Sequence, residues 1–265
     1  MRQHLRRQSF LGPQSDDAIR NAWVAIVGLC GGGSHIGQQA AHIGVGNFKL
    51  FDQDRADDSN RNRMVWLTKA DANDHALKIE VMKAAIKAVN PDAEVRAFPI
   101  RWQERAEELR GCSVIFGCVD SFIERQQLEA YARRFMVPYI DVGMDVTGEE
   151  GNYFITGQVI MSLPGHVCMR CMGFLNDEVL GREANDYGGA GGKPQVVWPN
   201  GTLASAAIGN FMSILTPWST QLKPPLFLEY DGNRMRLTPS SKLAMLEGHE
   251  CLHFCGPDAL GEMTW

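Results

Sequence analysis

The chain, 265 residues long, predicts an α/β fold with a Rossmann-like, mostly parallel sheet, helices on both faces and a C-terminal antiparallel extension. Three observations carry that prediction. Short apolar runs alternate with helically spaced segments as far as Gly143. A glycine-rich junction, with five glycines between residues 28 and 37, follows the first apolar run. Beyond Gly148 the strands lose their partner helices.

The elements follow in order. Trp23–Val27 reads as a buried strand, and residues 36–43 carry apolar side chains at helical spacing. Glycines at the junction let the backbone approach a phosphate, and the N–H groups of the next helix favour its charge. Asn47–Phe51 is a second strand ending on Asp52, about 20 residues on, at the offset of a ribose-binding acid. Residues 74–89 predict a helix stopped by Asn90-Pro91. Residues 94–100 alternate as a strand, 101–110 form a short helix, 112–118 a buried strand, 121–135 a helix and 137–143 the next strand. Later come a strand at 153–161, a glycine-rich loop at 186–193, a buried helix at 202–216, and a hairpin of 227–231 with 234–237 turning on Gly232-Asn233.

Composition excludes several classes. With 45% hydrophobic and 22% charged residues the chain resembles a soluble globular protein. A net charge of −5 gives no basic field for nucleic acid or an anionic membrane. No apolar run nears the ~20 residues that span a bilayer, and the first seven residues lack the apolar stretch of a signal peptide. The expectation is a cytoplasmic, single-domain protein over residues 1–265, with an N-terminal arm at 1–22, a nucleotide-binding half at 23–148 and a second half at 149–265.

The polar residues carry the chemistry. Gly28, Gly31 and Gly33 are followed by Asp52 and Asp54 at a strand end, then Asn60 and Arg63, Lys78 on a helix, Asn90-Pro91, and Asp120 after the fourth strand. In this order they resemble the ThiF/MoeB/HesA family of adenylating enzymes, which includes the adenylation domains of ubiquitin-activating enzymes. The resemblance covers residues 5–255. It implies an ATP site: the glycine turn beside the phosphates, Asp52 on the ribose, and Asn60, Arg63 and Lys78 around the triphosphate. It further implies Asp54 at the nucleotide, magnesium on Asp120, and Arg7 reaching the phosphates of the opposite subunit in a homodimer.

Cysteines form a second constellation. Cys168-x-x-Cys171 and the distant pair Cys251 and Cys255 supply four thiolates, which in a reducing compartment read as structural zinc rather than redox chemistry. The resemblance places a four-cysteine zinc there. The second pair is one residue wider than usual, so His249 or His253 stays open as a ligand. The site would clip the C-terminal tail to the domain.

Function follows from the resemblance. It implies adenylation of the C-terminal glycine carboxylate of a ubiquitin-like or sulfur-carrier protein, with ATP, Mg2+ and Zn2+ as cofactors and a conjugating or sulfur-transfer enzyme as a further partner. The second half is then the carrier-binding half, with a crossover loop at 172–200. Gly188, Gly189, Gly191 and Gly192 in the loop 186–193 suggest a channel for the carrier tail. No cysteine lies between Met172 and Glu250, Cys118 sits in a buried strand, and Cys30 reads as packing. The acyl-adenylate is therefore expected to pass to a partner. The alternatives are adenylation of another carboxylate or a tRNA-linked substrate, an NAD-dependent oxidoreductase, and a non-catalytic scaffold.

Overall fold

The computed structural model describes residues 3–185, 194–219 and 224–254. A 3-10 stretch (Gln3–Leu11) leads into α1 (Ser15–Asn21), β1 (Trp23–Val27), α2 (Gly31–Ile43) and β2 (Asn47–Phe51). Then come α3 (Lys69–Asn73), α4 (Lys78–Val89), β3 (Glu94–Phe98), a 3-10 segment (Trp102–Leu109), β4 (Val114–Gly117) and α5 (Phe122–Arg134). The chain continues through β5 (Tyr139–Glu149), β6 (Asn152–Ser162), α6 (Asp177–Asn185), α7 (Val197–Leu215), β7 (Phe227–Asp231) and β8 (Arg236–Pro239).

The described strands form one eight-stranded sheet in the order β3-β2-β1-β4-β5-β6-β7-β8. The first five pair in parallel, and β5–β6, β6–β7 and β7–β8 pair antiparallel. Successive side chains of a strand point to opposite faces. Val24 and Ile26 therefore enter one apolar core with α2, α4 and α7, while Ala25 and Val27 enter another with Trp102, Leu109 and the α5 residues Leu128 and Tyr131. The α/β class, the mixed sheet and its antiparallel end match the expectation. Strand order reverses at β1, between β2 and β4, and such a switch point leaves a crevice beyond the carboxyl ends of the strands.

Four expectations need correction. The glycines at 31–33 form the first turn of α2, which starts at Gly31 rather than at 36: Cys30 is its N-cap, and the Ser34 hydroxyl donates to the Gly31 carbonyl (2.9 Å). The helix expected over 74–89 is broken. Thr68 and Asp71 cap the short α3 reciprocally, His75 takes a left-handed φ of 47°, and the Ala56 amide donates to the Ala76 carbonyl (2.7 Å). The bridge at 75–77 delays α4 to Lys78, whose amide donates to the Asp54 carbonyl (3.0 Å). The third correction is α7, which starts at Val197 rather than at 202.

The last concerns the β7–β8 hairpin, which turns through four residues, 232–235, with Met235 at φ 52°. Asn233 does not serve as a primed-turn residue. Its side chain accepts from the Ile155 amide (2.8 Å) and donates to the Tyr153 carbonyl (2.8 Å), tying the loop to β6.

Close packing between turn and helix rests on two glycines. Gly28 takes φ 85°, and a Cβ on Gly33 would lie 1.9 Å from the Gly28 carbonyl oxygen, a clash between backbone elements that no rotamer relieves. Gly33→Ala should therefore cost about 3 kcal/mol or more, measured as a lower urea midpoint at unchanged slope. An unshifted midpoint would refute this packing role.

Candidate functional site

The crevice at the switch point is a cavity of about 410 Å³. Gly28, Gly31, Asp52, Asp54, Asn60, Arg63, Lys78 and Asp120 all line it. Gly33 and Arg7 do not: Gly33 serves the packing just described, and Arg7 is exposed on the N-terminal 3-10 stretch.

Asp52 organises the floor. Its Oδ2 accepts from the Leu29 amide (2.7 Å) and its Oδ1 from the Asp54 amide (2.8 Å). Burial pushes its carboxyl above the ordinary range, partly opposed by the Lys78 charge. An ionised carboxylate offers about four acceptor positions, so two remain for a ligand's hydroxyls. Next to it the Lys78 ammonium, 8% exposed, pairs with Asp54 Oδ2 (2.8 Å). Burial alone would lower the Lys78 pKa, but the Asp54 bond and the Asp52 charge outweigh it and hold it above its usual value.

Asn60 ends a capped 3-10 turn, Asp58–Asn60, and residues 61–63 follow it as a turn that leads to Arg63. The Asp57 amide donates to Asn60 Oδ1 (3.1 Å), leaving the Asn60 amide group available. Arg63 Nη1 donates to the Ser59 carbonyl (2.6 Å) and to Asn62 Oδ1 (3.1 Å), while its buried Nε has no partner among the described residues. Across the cavity, Ser121 rather than Asp120 caps α5, its hydroxyl accepting from the Glu124 amide (3.1 Å). Asp120 is exposed, and among the described residues its Oδ1 meets a long contact, 3.5 Å, from Gln195 Nε2. An exposed carboxylate that lines the same cavity as Lys78, Arg63 and the N-terminus of α2 suits a hard cation bridging to phosphate.

Several residues were missed by the sequence reading. Arg125 and Asp141 form a buried ion pair; Asp141 also accepts from the Tyr139 hydroxyl (2.9 Å) and Gln158 Nε2 (3.1 Å), and Arg125 donates to the Val119 carbonyl. The pair fixes the backbone just before Asp120. Asn200, on the first turn of α7, donates to the Val196 carbonyl (2.9 Å) and packs on Gly31. The Asn62 side chain donates to the Gln195 carbonyl (2.8 Å), so residue 195 lies across the cavity edge. Only Arg125 carried a local signal, four residues after a capping Ser.

The cysteines meet beside the C-terminal half of α5, where Glu129 and Arg133 hold the chain around Cys168. Cys168 and Cys171 Sγ lie 3.6 Å apart and each is 3.4 Å from His253 Nδ1. With Cys251 they form a group whose donor atoms all lie within 4.8 Å. Tetrahedral zinc, with Zn–S near 2.3 Å, puts its sulfurs about 3.8 Å apart, so the donor set and spacing fit. Burial pushes the Cys168 thiol up; for Cys251 burial is outweighed by hydrogen bonds from the His253 amide and the two neighbouring thiols, and its thiol lies below the usual value. His249 is exposed and outside this group, whereas Cys255 and the loop 186–193 lie outside the described residues. No described helix is long and apolar enough to cross a membrane.

Several known proteins are similar to this chain. A tRNA threonylcarbamoyladenosine dehydratase of Bacillus subtilis is 31% identical over 108 residues, covering 41% of this chain and 42% of the relative. A molybdopterin-synthase adenylyltransferase of Haemophilus influenzae is 30% identical over 126 residues, covering 47% and 51%. The chain spans about half the length of these curated relatives. A crystal structure of E. coli MccB with ATP shares the fold at a TM-score of 0.73 and 17% identity, over 91% of this chain and 71% of that one. The model of the ThiF family matches residues 2–251, and the chain belongs to that family.

Proposed function

We propose that the chain is an ATP-dependent adenylyltransferase that activates the C-terminal glycine carboxylate of a ubiquitin-like or sulfur-carrier protein. The observation that carries this reading is the gathering of Asp52, Asn60, Arg63, Lys78 and Asp120 around one cavity at the N-terminus of α2. Two cations and an amide beside a helix N-terminus suit a triphosphate better than a dinucleotide. The name of the Haemophilus influenzae relative supports the same reaction class.

On this reading a carrier carboxylate oxygen attacks the α-phosphorus, the bond to the bridging oxygen of the β-phosphate breaks, and pyrophosphate leaves with the electron pair. Asp52 holds the ribose hydroxyls through its two remaining acceptor positions. Lys78 and Arg63 exchange their present partners for phosphate oxygens, and Asn60 donates its free amide group. Asp120 would hold magnesium, which supplies neutralisation of charge on the departing pyrophosphate. Zinc would be structural, on Cys168, Cys171 and Cys251 with His253 or Cys255. Arg7 belongs to a homodimer in which each arm reaches the partner's phosphates. The division into an arm at 1–22, a nucleotide-binding half at 23–148 and a carrier-binding half at 149–265 forms part of the same proposal.

A carboxylate attached to tRNA is the second reading, favoured by the name of the Bacillus subtilis relative. The net charge of −5 weighs against it, because affinity for nucleic acid rests mainly on cations set against phosphates.

ATP–pyrophosphate exchange tests the proposal. Exchange should appear with a carrier ending in Gly-Gly, and Asp120→Ala should reduce it about 100-fold or more. Exchange absent with every such carrier, but present with a carboxylate-bearing tRNA, would favour the second reading. Lys78→Ala should weaken both ATP affinity and turnover while Lys78→Arg restores part of each, measured by isothermal titration and exchange; equal loss in both variants would argue against a charge role.

A pH prediction follows from Asp52. Only its ionised form accepts two ribose hydroxyls, and its carboxyl titrates above the ordinary value of 3.8. ATP affinity should therefore be full above the raised pKa and fall as pH drops through it, at higher pH than an exposed aspartate would give. Fluorescent-nucleotide titration from neutral to mildly acidic pH checks this, and Asp52→Asn should flatten the acid limb.

A further inference from the structure

Behind the metal-ligating cysteines lies a buried polar pair that the adenylation chemistry does not use. Glu129 and Arg133 sit one turn apart on α5, 1% and 6% exposed. Glu129 Oε1 accepts from the Ser162 hydroxyl (2.6 Å) and from the Met169 amide (2.8 Å). Arg133 donates from Nε to the Ser162 hydroxyl (2.8 Å), from Nη1 to the His166 carbonyl (3.0 Å) and from Nη2 to the Val167 carbonyl (2.8 Å). Its guanidinium also lies 5.1 Å from the ring centre of Phe254, next to His253.

These contacts have a common target. Val167 and Met169 flank Cys168, so the pair grips the chain on both sides of the first ligand, and Phe254 brings the tail ligand to the same guanidinium. Two buried charged side chains are costly to place unless they are fully engaged. Here they are engaged by the Ser162 hydroxyl at the end of β6 and, beyond it, by main-chain groups of one loop, His166, Val167 and Met169.

We propose that Glu129 and Arg133 are the positioning residues of the metal centre, holding Cys168, Cys171 and the tail in ligating geometry independently of the ion. The inference rests on the reading of Cys168, Cys171, Cys251 and His253 as a metal site. Because ligands held by such outer partners lose affinity when the partner is altered, typically by 10–100-fold, the pair sets how tightly metal is kept and not only how stably the domain folds.

The test is metal release from the full chain to a chromophoric chelator, with Co(II) absorption as a report of ligand geometry. Glu129→Gln keeps the shape but weakens the grip on the Met169 amide, and it should loosen zinc about tenfold or more and shift the Co(II) bands. Phe254→Leu, at a partly exposed position that leaves the buried pair intact, should loosen zinc about two- to fivefold and serves if Glu129→Gln does not fold. Rescue should come with Glu129→Asp only in part, since the shorter side chain cannot reach both donors. A lowered melting temperature with unchanged zinc affinity and unchanged Co(II) spectrum in the folded variants would overturn the proposal. A parent chain that takes up no zinc would overturn the metal reading and the proposal together.

Discussion

The carboxylate of Asp52 is the constraint on which the cavity at the switch point depends. One oxygen holds the amide of Leu29, in the glycine turn, and the other holds the amide of Asp54, whose own carboxylate holds Lys78. A single side chain thus joins the end of β2 to the start of α2 on one side and to α4 on the other. Leaving a buried N–H unpaired costs about 1–3 kcal/mol, which is enough to shift a turn by more than the fraction of an ångström that a binding site tolerates. On the proposed reading, its two remaining acceptor positions would take ribose hydroxyls without dismantling the turn.

Strand β5 carries the second linkage. Its first residues pair in parallel with β4, and the same strand then runs antiparallel to β6 along its whole length. Asp141, in the parallel part, anchors Arg125 and through it the backbone before Asp120; Val142, Gly143 and Met144, one step on, line the cavity. The parallel and antiparallel parts of the sheet are therefore coupled through adjacent residues of one strand. Helix α5 repeats this at its own scale, with Ser121 at the cavity and Glu129 and Arg133 at the cysteines.

How much of this was legible in the sequence depended on the range of the interaction. Strand cores such as Trp23–Val27 and Cys112 to Cys118 announced themselves as apolar runs, and the polar residues of the cavity stood out because they follow strand ends or open helices. Helix propensity alone argues against three glycines in a first turn, so the local pattern starts the helix only at 36; Asp52 and the Gly28–Gly33 contact, both tertiary, override it. The break at His75 was hidden for a similar reason, since the bridge to Arg55 and Ala56 lies outside the local pattern. Asp141, Gln195 and Asn200 left no signal, because the contacts that tie them to the cavity, with Arg125, Asn62 and Gly31, join separate elements and no spacing rule connects them.

The cavity thiols bear on what happens after adenylation. Cys118 is pushed well above the ordinary thiol range by burial and by the Asp141 charge. Burial also raises Cys30, with Lys78 and Arg63 pulling the other way. Attack on an acyl group requires the thiolate, so Cys30 would need those two cations to remain available. Yet they are the groups the proposed phosphates occupy, and the adenylate keeps one phosphate in place until the acyl group departs. The offset to burial is therefore still reduced when a thioester would have to form. On the proposed reading, the same charges that favour making the acyl-adenylate disfavour its transfer to the chain's own cavity thiols, and the acceptor must reach it from outside.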